Sequence, residues 1–379
     1  MNSRKIEFLY LNEEDMIRAG VLDGKRCNDT IERVLSLLEQ GDFRMGGDDG
    51  NSHGIMMAFP ETSDIPDYPL DAPDRRFMAM PAYLGGEFHI AGEKFYGSNK
   101  KNHDLGLPRS ILMVTLSDVE TGAPLAYMSA NLLSSMRTGA VPGVFCRYFA
   151  RKDARSVGLI GTGAVNTMFL NCLIPECPDI DTVKLKATRP TSRSLLALKA
   201  YIEEHFPQIT KIIACETLEE CVRDTDVISE AVSCPEDQTP YIEEAWIEPG
   251  ATFLSSEHLR FSEEFQMNRA VKVIDNWQLY DGYHDLFAGN KGPGHPWLDL
   301  GGLWIDKVKR GEMKFEDAVE IGAVINGKRP GRQNEDDVVI CKAGGMPILD
   351  VGWGCACYRR AQELGLGTML KLWDEPYLS

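Results

Sequence analysis

A short apolar run that ends in a glycine turn is the feature that most constrains the fold of this chain. Residues 156–160 are mostly apolar, and a helical pattern starts near 166. A strand, a glycine turn and a helix in this order predict a dinucleotide-binding unit, because glycines allow the tight turn and the close approach of a pyrophosphate. Only the last glycine of that signature is missing, and an ordinary structural turn is the alternative. We predict cofactor contacts from the turn residues Gly161, Thr162, Gly163, Ala164 and Val165.

The composition limits the classes of partner. The chain has 379 residues, 43% of them hydrophobic, and a formal net charge of −17. This length suits two domains, and the charge argues against nucleic acid or an anionic membrane surface as partner. No stretch is apolar enough to span a bilayer, and the first residues lack the apolar core of a signal peptide. Ten cysteines without a CxxC pair predict reduced thiols and no metal site, so we expect a cytoplasmic protein.

The order of predicted elements divides the chain into two domains. Strand and helix patterns alternate from 156 to 312, which predicts a parallel sheet with right-handed crossovers. The fold class is therefore α/β, with a Rossmann-type nucleotide-binding domain at 156–312. This domain is inserted in an α+β domain that is built from both termini, residues 1–155 and 313–379.

The terminal segments have patterns of their own. Short strands between 77 and 130 predict an antiparallel sheet, and residues 131–150 predict a helix. The segment 45–76 is rich in Gly, Asp and Pro, which predicts a long surface loop or lid. The tail 314–379 predicts helices plus a strand at 338–341.

The end of the second predicted strand of the nucleotide domain indicates which nicotinamide cofactor binds. An acid there binds the 2′-hydroxyl of NAD, whereas an Arg accommodates the 2′-phosphate of NADP. Here the strand at 182–187 leads into Thr188, Arg189 and Arg193 with no acid among them. Hydroxyls and guanidiniums suit a phosphate, so we predict NADP(H), with NAD(H) as the alternative. A solvent-exposed basic turn without a ligand is the structural alternative.

Several motifs in this order resemble the ornithine cyclodeaminase/mu-crystallin family over nearly the whole chain. The family implies a dimerising, substrate-binding domain from both termini with an inserted Rossmann domain, and a homodimer joined through the 77–130 strands. Within it the chain is most similar to the branch labelled as a tyramine oxidase subunit, which implies a possible partner subunit. The motifs stand at 93–95, 117–126, 136–140 (Met-Arg-Thr-Gly-Ala), 158–164 (Gly-Leu-Ile-Gly-Thr-Gly-Ala), 246–250, 327–332 and 343–350 (Ala-Gly-Gly-Met-x-x-x-Asp).

The resemblance assigns roles to individual residues. Lys94 and Arg137 match the carboxylate-binding Lys and Arg of the family, and Arg44 matches its other carboxylate-binding Arg. Two fixed cations orient one carboxylate and raise its local concentration. Lys94 is thereby also a catalytic candidate, and Thr138, beside Arg137, is a cofactor-binding candidate.

Three departures from the ornithine enzymes affect the expected chemistry. Glu257 stands where they carry a proton-transferring Asp; its alternative is a cap for a helix at 261–267, with His258 next in line for the proton. Arg109 replaces a small hydroxyl residue and either adds a cation to the pocket or plugs it. Met78 replaces an acid that receives the side-chain amine, which argues against an ornithine substrate because an unpaired buried charge is costly.

These residues predict a nicotinamide-dependent oxidoreductase that acts on the carbon–nitrogen bond of an amino acid or imine bearing a carboxylate. Such an enzyme is an imine reductase or an amino-acid dehydrogenase. Two alternatives stay open: a true amino-acid cyclodeaminase, which releases ammonia without net redox change, and a non-catalytic cofactor-binding partner subunit.

Overall fold

The protein forms two compact units. The computed structural model describes residues 4–47, 49–234, 236–282 and 299–378. The first unit comprises Met1–Leu22, Gln40–Arg137 and Gly345–Ser379, and the second comprises Asp23–Glu39 and Thr138–Gly344. These bounds differ from the predicted division after residues 155 and 312. In the part of the chain that is described, no helix has the length and apolarity needed to cross a membrane.

The described elements follow the predicted order. The strands are β1 Ile6–Leu11, β2 Phe43–Met45, β3 Ile55–Ala58, β4 Arg76–Leu84, β5 Ile90–Ser98, β6 Ser110–Ser117, β7 Pro124–Ser129, β8 Ser156–Ile160, β9 Thr182–Lys186, β10 Lys211–Ala214, β11 Val227–Glu230, β12 Thr252–Ser255, β13 Ala270–Ile274, β14 Ala318–Glu320, β15 Val338–Lys342 and β16 Thr368–Trp373. The α-helices are α1 Glu13–Arg18, α2 Gly24–Gln40, α3 Asn131–Phe149, α4 Ala164–Leu173, α5 Arg193–His205, α6 Leu218–Val222, α7 Glu263–Asn268, α8 Leu300–Lys309, α9 Ile321–Ile325 and α10 Pro347–Leu364. Short 3₁₀ turns lie at Lys100–Leu105, Glu236–Gln238, Glu244–Trp246 and Phe315–Asp317.

The first unit is built on one sheet, in the order β16-β1-β7-β6-β5-β4-β2, with β3 also paired to β4. All its strand pairs are antiparallel except β1 with β7. Along β4 the side chains alternate: Met78, Met80, Ala82 and Leu84 are buried, and α10 packs against β4, β5 and β6. The antiparallel sheet predicted over 77–130 is confirmed.

Two strands of this sheet were not predicted. β3 lies inside the segment 45–76, which was predicted to be loop, and pairs with β4 (Ile55 opposite Ala79). β16 lies in the tail and pairs with β1. Both strands expose every residue, so neither shows the alternation of apolar and polar residues that identifies a half-buried strand.

The second unit contains a parallel sheet in the order β10-β9-β8-β11-β12-β15-β13-β14. The chain runs outward from β8 to β9 and β10, then returns to the other side of β8 with β11. This is the strand order of a Rossmann fold, and its ligands bind beyond the carboxyl ends of the strands where the order reverses. The predicted α/β fold with a Rossmann-type sheet is confirmed.

Strand β15 corrects the assignment of the tail. The segment 338–341 was predicted as a strand but was placed in the terminal domain, whereas it lies between β12 and β13 in the parallel sheet. Val339, Ile340 and Cys341 are fully buried. A strand buried on both faces needs a neighbour on each side, and sequence order does not reveal which neighbours these are.

Candidate functional site

The glycine turn joins β8 to α4 as predicted. Gly161 has φ +95°, and a Cβ there would lie 2.5 Å from the Ala231 carbonyl oxygen, so only glycine fits. The Asn166 amide donates to the carbonyl oxygens of Gly161 (2.7 Å) and Ile160 (3.0 Å), which braces the turn.

The start of α4 is open to a ligand. Gly163 is the N-cap of this helix, and a Cβ there would meet no atom within 4 Å. Gly163 and Ala164 are exposed, and Val165 is half-buried. Open backbone N–H groups at a helix start are where a Rossmann fold binds pyrophosphate, so the turn fits a dinucleotide.

The segment after β9 keeps its cations exposed. Ser192 caps α5 by accepting from the Leu195 N–H, and the Thr162 hydroxyl lies 2.8 Å from the Ser194 hydroxyl. Thr188, Arg189 and Arg193 are exposed. Among the residues described, no carboxylate lies within ion-pair distance of either guanidinium.

The carboxyl ends of the parallel strands carry a buried polar row that sequence reasoning missed. Ile160, Glu230, Ser255, Lys342 and Ile274 lie opposite one another on five neighbouring strands. Glu230 and Lys342 are buried. Parallel strands of this kind are normally apolar throughout, so an acid and a lysine at their last positions are the signal that could have identified this row.

Both charged groups of the row contact Glu257. The Glu257 N–H donates to Glu230 Oε2 (3.3 Å), and Lys342 Nζ donates to the Glu257 carbonyl oxygen (2.9 Å). Burial raises the pKa of Glu230 to about 7. Burial opposes the charged form of Lys342, but Asp299 at 2.5 Å outweighs this effect and raises the pKa of the lysine.

Glu257 does not cap the following helix. α7 begins at Glu263, and its N-cap is Ser262, whose hydroxyl accepts from the Phe265 N–H (3.2 Å). The half-buried Glu257 carboxylate makes no hydrogen bond or ion pair with any residue that the structure describes. His258 Nδ1 is buried and likewise has no hydrogen-bond partner there.

In the first unit, two predicted cations meet one buried carboxylate. Lys94 Nζ lies 2.8 Å from Asp350 Oδ2, and Arg137 Nε lies 3.0 Å from Asp350 Oδ1. The three side chains come from β5, α3 and the first turn of α10, and their exposed fractions are 3%, 6% and 0%. Asp350 belongs to the Ala-Gly-Gly-Met-x-x-x-Asp motif, but the sequence did not identify it as the partner of these cations.

The ionisation of this cluster follows from its burial. Burial, and next the charge of Arg137, lower the pKa of Lys94 to about 8. Burial alone would raise the pKa of Asp350, but the charges of Arg137 and Lys94 outweigh it and lower that pKa. At neutral pH the two cations and one carboxylate therefore carry a net charge of +1 in a buried place.

His53 is a further member of this cluster that the sequence did not indicate. Its Nδ1 contacts the Gly345 carbonyl oxygen, so Nδ1 carries the proton. Burial, and next the charge of Lys94, lower the pKa of His53 to about 4, which keeps the ring neutral. Gly345 has no room for a side chain, because a Cβ would lie 3.0 Å from His53 and 3.6 Å from Arg137.

The other two predicted cations lie apart from this cluster. Arg44 is exposed on β2 opposite Tyr83, whereas Lys94 is opposite Met80 on the same strand β4. Since residues 80 and 83 point to opposite faces of a strand, so do Arg44 and Lys94.

Arg109 pairs with Asp74 (3.3 Å), which also accepts from the Ser98 hydroxyl. Ser98 is four residues from Lys94 along β5, about 13 Å at the usual rise per residue. Met78 is buried, as its apolar side chain favours. Thr138 is half-buried on α3.

Comparisons with known proteins agree with this arrangement. The family model described as Ornithine cyclodeaminase/mu-crystallin family matches residues 25–365. The chain is 26% identical to N-((2S)-2-amino-2-carboxyethyl)-L-glutamate dehydrogenase of Staphylococcus aureus, covering 97% of this chain and 99% of that protein. Two solved structures share the fold. Δ(1)-pyrroline-2-carboxylate reductase of Thermococcus litoralis, with NADH and L-proline, has TM-score 0.73 and 22% identity over 95% of this chain and 99% of that one. An archaeal alanine dehydrogenase dimer with NAD has TM-score 0.74 and 24% identity over 97% and 100%.

The raised pKa of Glu230 predicts a pH-dependent stability. Between pH 4.5 and about 7 the folded state keeps a proton that the unfolded chain releases, so rising pH favours unfolding. Over this window Glu230→Gln should gain stability relative to the native chain by up to about 3 kcal/mol. Denaturant unfolding of both proteins from pH 4.5 to 7.5 measures the difference. A difference that is independent of pH would contradict the prediction.

Proposed function

The chain belongs to the ornithine cyclodeaminase/mu-crystallin family, and we propose which of its residues perform the chemistry of this family. The predicted class is confirmed: the protein is a nicotinamide-dependent oxidoreductase that acts on the carbon–nitrogen bond of an amino acid or imine. Its cofactor is NAD(P)(H). The substrate, the cofactor form and the role of each residue belong to the proposal.

The buried net charge of the Lys94–Arg137–Asp350 cluster carries the proposal for substrate binding. Two cations share one carboxylate, and a buried excess charge is unfavourable until an anion neutralises it. A substrate carboxylate supplies that anion, and the planar guanidinium of Arg137 gives it direction. The neutral ring of His53 adds no further charge to the cluster.

The proposed reaction balances with one hydride and one proton. When bound, the nicotinamide supplies or removes a hydride at the substrate carbon that carries nitrogen. Lys94 and Arg137 hold the neighbouring carboxylate and so orient this carbon. Glu257 donates a proton to nitrogen when an imine becomes an amine, and accepts it in the reverse direction.

We favour a reductase or dehydrogenase over a cyclodeaminase. A cyclodeaminase must also bind the side-chain amine of its substrate, and the position expected to do so holds the buried, apolar Met78. An ammonium beside a thioether would lose its partner at a cost of several kcal/mol.

Removing either cation tests the substrate clamp. We expect Lys94→Met and Arg137→Met each to lower kcat/KM by about thirty- to a thousand-fold, which corresponds to about 2–4 kcal/mol for a lost charge in a buried carboxylate site. Substrates are found by screening α-imino and α-amino acids for a change in reduced-nicotinamide absorbance.

Two controls accompany this test. Cofactor affinity, measured by fluorescence, should stay unchanged, and Lys371→Met removes a cation from an exposed ion pair (with Asp374) and should have no effect. Normal kcat/KM in both clamp variants would refute the proposed clamp. If the native chain binds cofactor but converts no substrate of either kind, a binding role beside a partner subunit gains support.

For the cofactor we propose a preference for NADP(H), because Arg189 and Arg193 are exposed beside Thr188 and no acid stands among them. Arg189→Ala should weaken NADPH binding by about 1–3 kcal/mol and leave NADH binding nearly unchanged. Titration of both cofactors into both proteins decides the matter. Equal or tighter binding of NADH by the native chain would contradict the preference.

We propose that the outer face of the first sheet joins two copies of the chain. Register places Ile55 and Phe95 in one row across this face, and Phe77 and Ile111 in the next. All four are exposed, and the rings of Phe77 and Phe95 stack at 6.2 Å. A contiguous apolar sheet face of this kind is typical of a homodimer interface.

Light scattering of the native chain at micromolar concentration should therefore give a dimer, and Phe95→Glu should give a monomer because it places a charge in this face. Leu196→Glu, at a leucine exposed on α5, is the matched control and should stay dimeric. A native monomer would contradict the proposal.

We also propose a cytoplasmic location. The ten cysteines form no disulfide in the described part of the chain, and all but Cys234 are buried. Reduced, buried thiols are typical of proteins in a reducing compartment.

A further inference from the structure

Two buried charges flank the strand that leads to Glu257. Glu230 is the last residue of β11 and Lys342 is the last residue of β15, and both strands pair with β12, which ends at Ser255. Register places Glu230 and Lys342 on either side of Ser255. The backbone just beyond β12 is therefore within reach of an acid on one side and a lysine on the other.

The carboxylate of Glu230 is fully engaged in hydrogen bonds. Its Oε1 accepts from the Val232 N–H (2.7 Å), and its Oε2 accepts from the Ser255 hydroxyl (3.2 Å) and the Glu257 N–H (3.3 Å). One acid thus ties the end of its own strand to the segment that carries Glu257.

Lys342 holds the same residue from the other side. Its Nζ donates to the Glu257 carbonyl oxygen (2.9 Å) and pairs with Asp299 at 2.5 Å. The N–H of Glu257 therefore faces a negative charge and its C=O faces a positive one. Charge-assisted hydrogen bonds of this kind are shorter and stronger than neutral ones.

The strands do not need these charges in order to pair. β11, β12 and β15 are joined by backbone hydrogen bonds in continuous register, and apolar residues at positions 230 and 342 would avoid the cost of burying an acid and a lysine. The charges have one evident shared target, which is the peptide groups of Glu257.

We propose that Glu230 and Lys342 are positioning residues that hold Glu257 at the carboxyl edge of the sheet. This inference rests on the proposed function, in which Glu257 moves the proton. Neither group touches the reacting atoms; each acts through the backbone of Glu257. Because proton transfer depends on placement to within about 1 Å, loosening this backbone should lower kcat rather than substrate affinity.

Single substitutions test the inference. Gln at position 230 keeps the shape of Glu230, but its amide nitrogen cannot accept a hydrogen bond. Met at position 342 removes the ammonium. We expect Glu230→Gln and Lys342→Met each to lower kcat about ten- to a hundred-fold, while KM and cofactor affinity change less than twofold. Lys342→Arg, which can still donate to the Glu257 carbonyl, should recover at least half of the lost kcat.

Asp226 offers a matched control on the same strand. It precedes β11 at the opposite edge of the sheet, and its carboxylate accepts from the N–H groups of Arg155 (2.9 Å) and Ser156 (3.0 Å) and from the Ser156 hydroxyl (2.7 Å). It makes the same kinds of bond as Glu230 but none to Glu257. Asp226→Asn should lose comparable thermal stability and keep its kcat.

A double-mutant comparison distinguishes positioning from an independent role. If Glu230 acts through Glu257, then Glu230→Gln added to Glu257→Gln should lower kcat no further than Glu257→Gln alone. Multiplying effects would overturn the inference. If Glu230→Gln does not fold, Ser255→Ala removes a single hydrogen bond to the same carboxylate and should lower kcat by a smaller factor.

The failure of the inference can be told from the failure of the proposed function. Full kcat in Glu257→Gln overturns the acid–base role of Glu257, and the positioning role falls with it. A slow Glu257→Gln beside Glu230→Gln and Lys342→Met with normal kcat overturns the positioning inference alone. Slow Glu230→Gln and Lys342→Met beside an equally slow Asp226→Asn also overturns it, because the losses then report general loosening of the sheet.

Discussion

The register of the parallel sheet is the constraint on which the second unit depends. Four strands, β8, β11, β12 and β15, end in one row, so every residue just beyond them lies along one edge. The glycine turn follows β8, and Glu257 follows β12 at this edge. A slip of one residue in any strand would reverse which side chains face which layer and would separate Glu230 and Lys342 from Glu257.

A single carboxylate has a comparable role in the first unit. Asp350 joins a strand, β5, to two helices, α3 and α10, because it binds Lys94 and Arg137 at once. Each cation alone in a buried place would be costly, and so would the acid. Together they form a stable cluster that still carries one excess positive charge, and this excess is the property that suits it to a carboxylate ligand.

The two clusters are built differently because their tasks differ. The cluster in the first unit places its charges on side chains, where they can meet a ligand directly. The row in the second unit directs its charges at peptide groups, where they fix a backbone and leave the Glu257 carboxylate uncommitted among the described contacts. A group that must give and take a proton needs a fixed position and an unengaged carboxylate, and a charge clamp on the backbone provides both.

The sequence alone determined what depends on local pattern. The glycines of the 161–164 turn, the alternation of strands and helices, and the basic residues after β9 are adjacent in the chain, so the fold class and the cofactor class could be read from them. Lys94 and Arg137 were recognised through their motifs. The strands β3 and β16 could not be predicted, because fully exposed strands lack the alternation that burial imposes.

Only the tertiary structure decided which distant residues meet. The partnership of Lys94 and Arg137 with Asp350, the place of β15 between β12 and β13, and the contacts of Glu230 and Lys342 with Glu257 all join segments far apart in sequence. Arg44 and Arg109 show the converse, since register and an ion pair with Asp74 separate them from the cluster around Lys94. A residue's type states what it can bind, but strand register and helix packing state what lies beside it, and these are set by burying apolar surface over the whole chain.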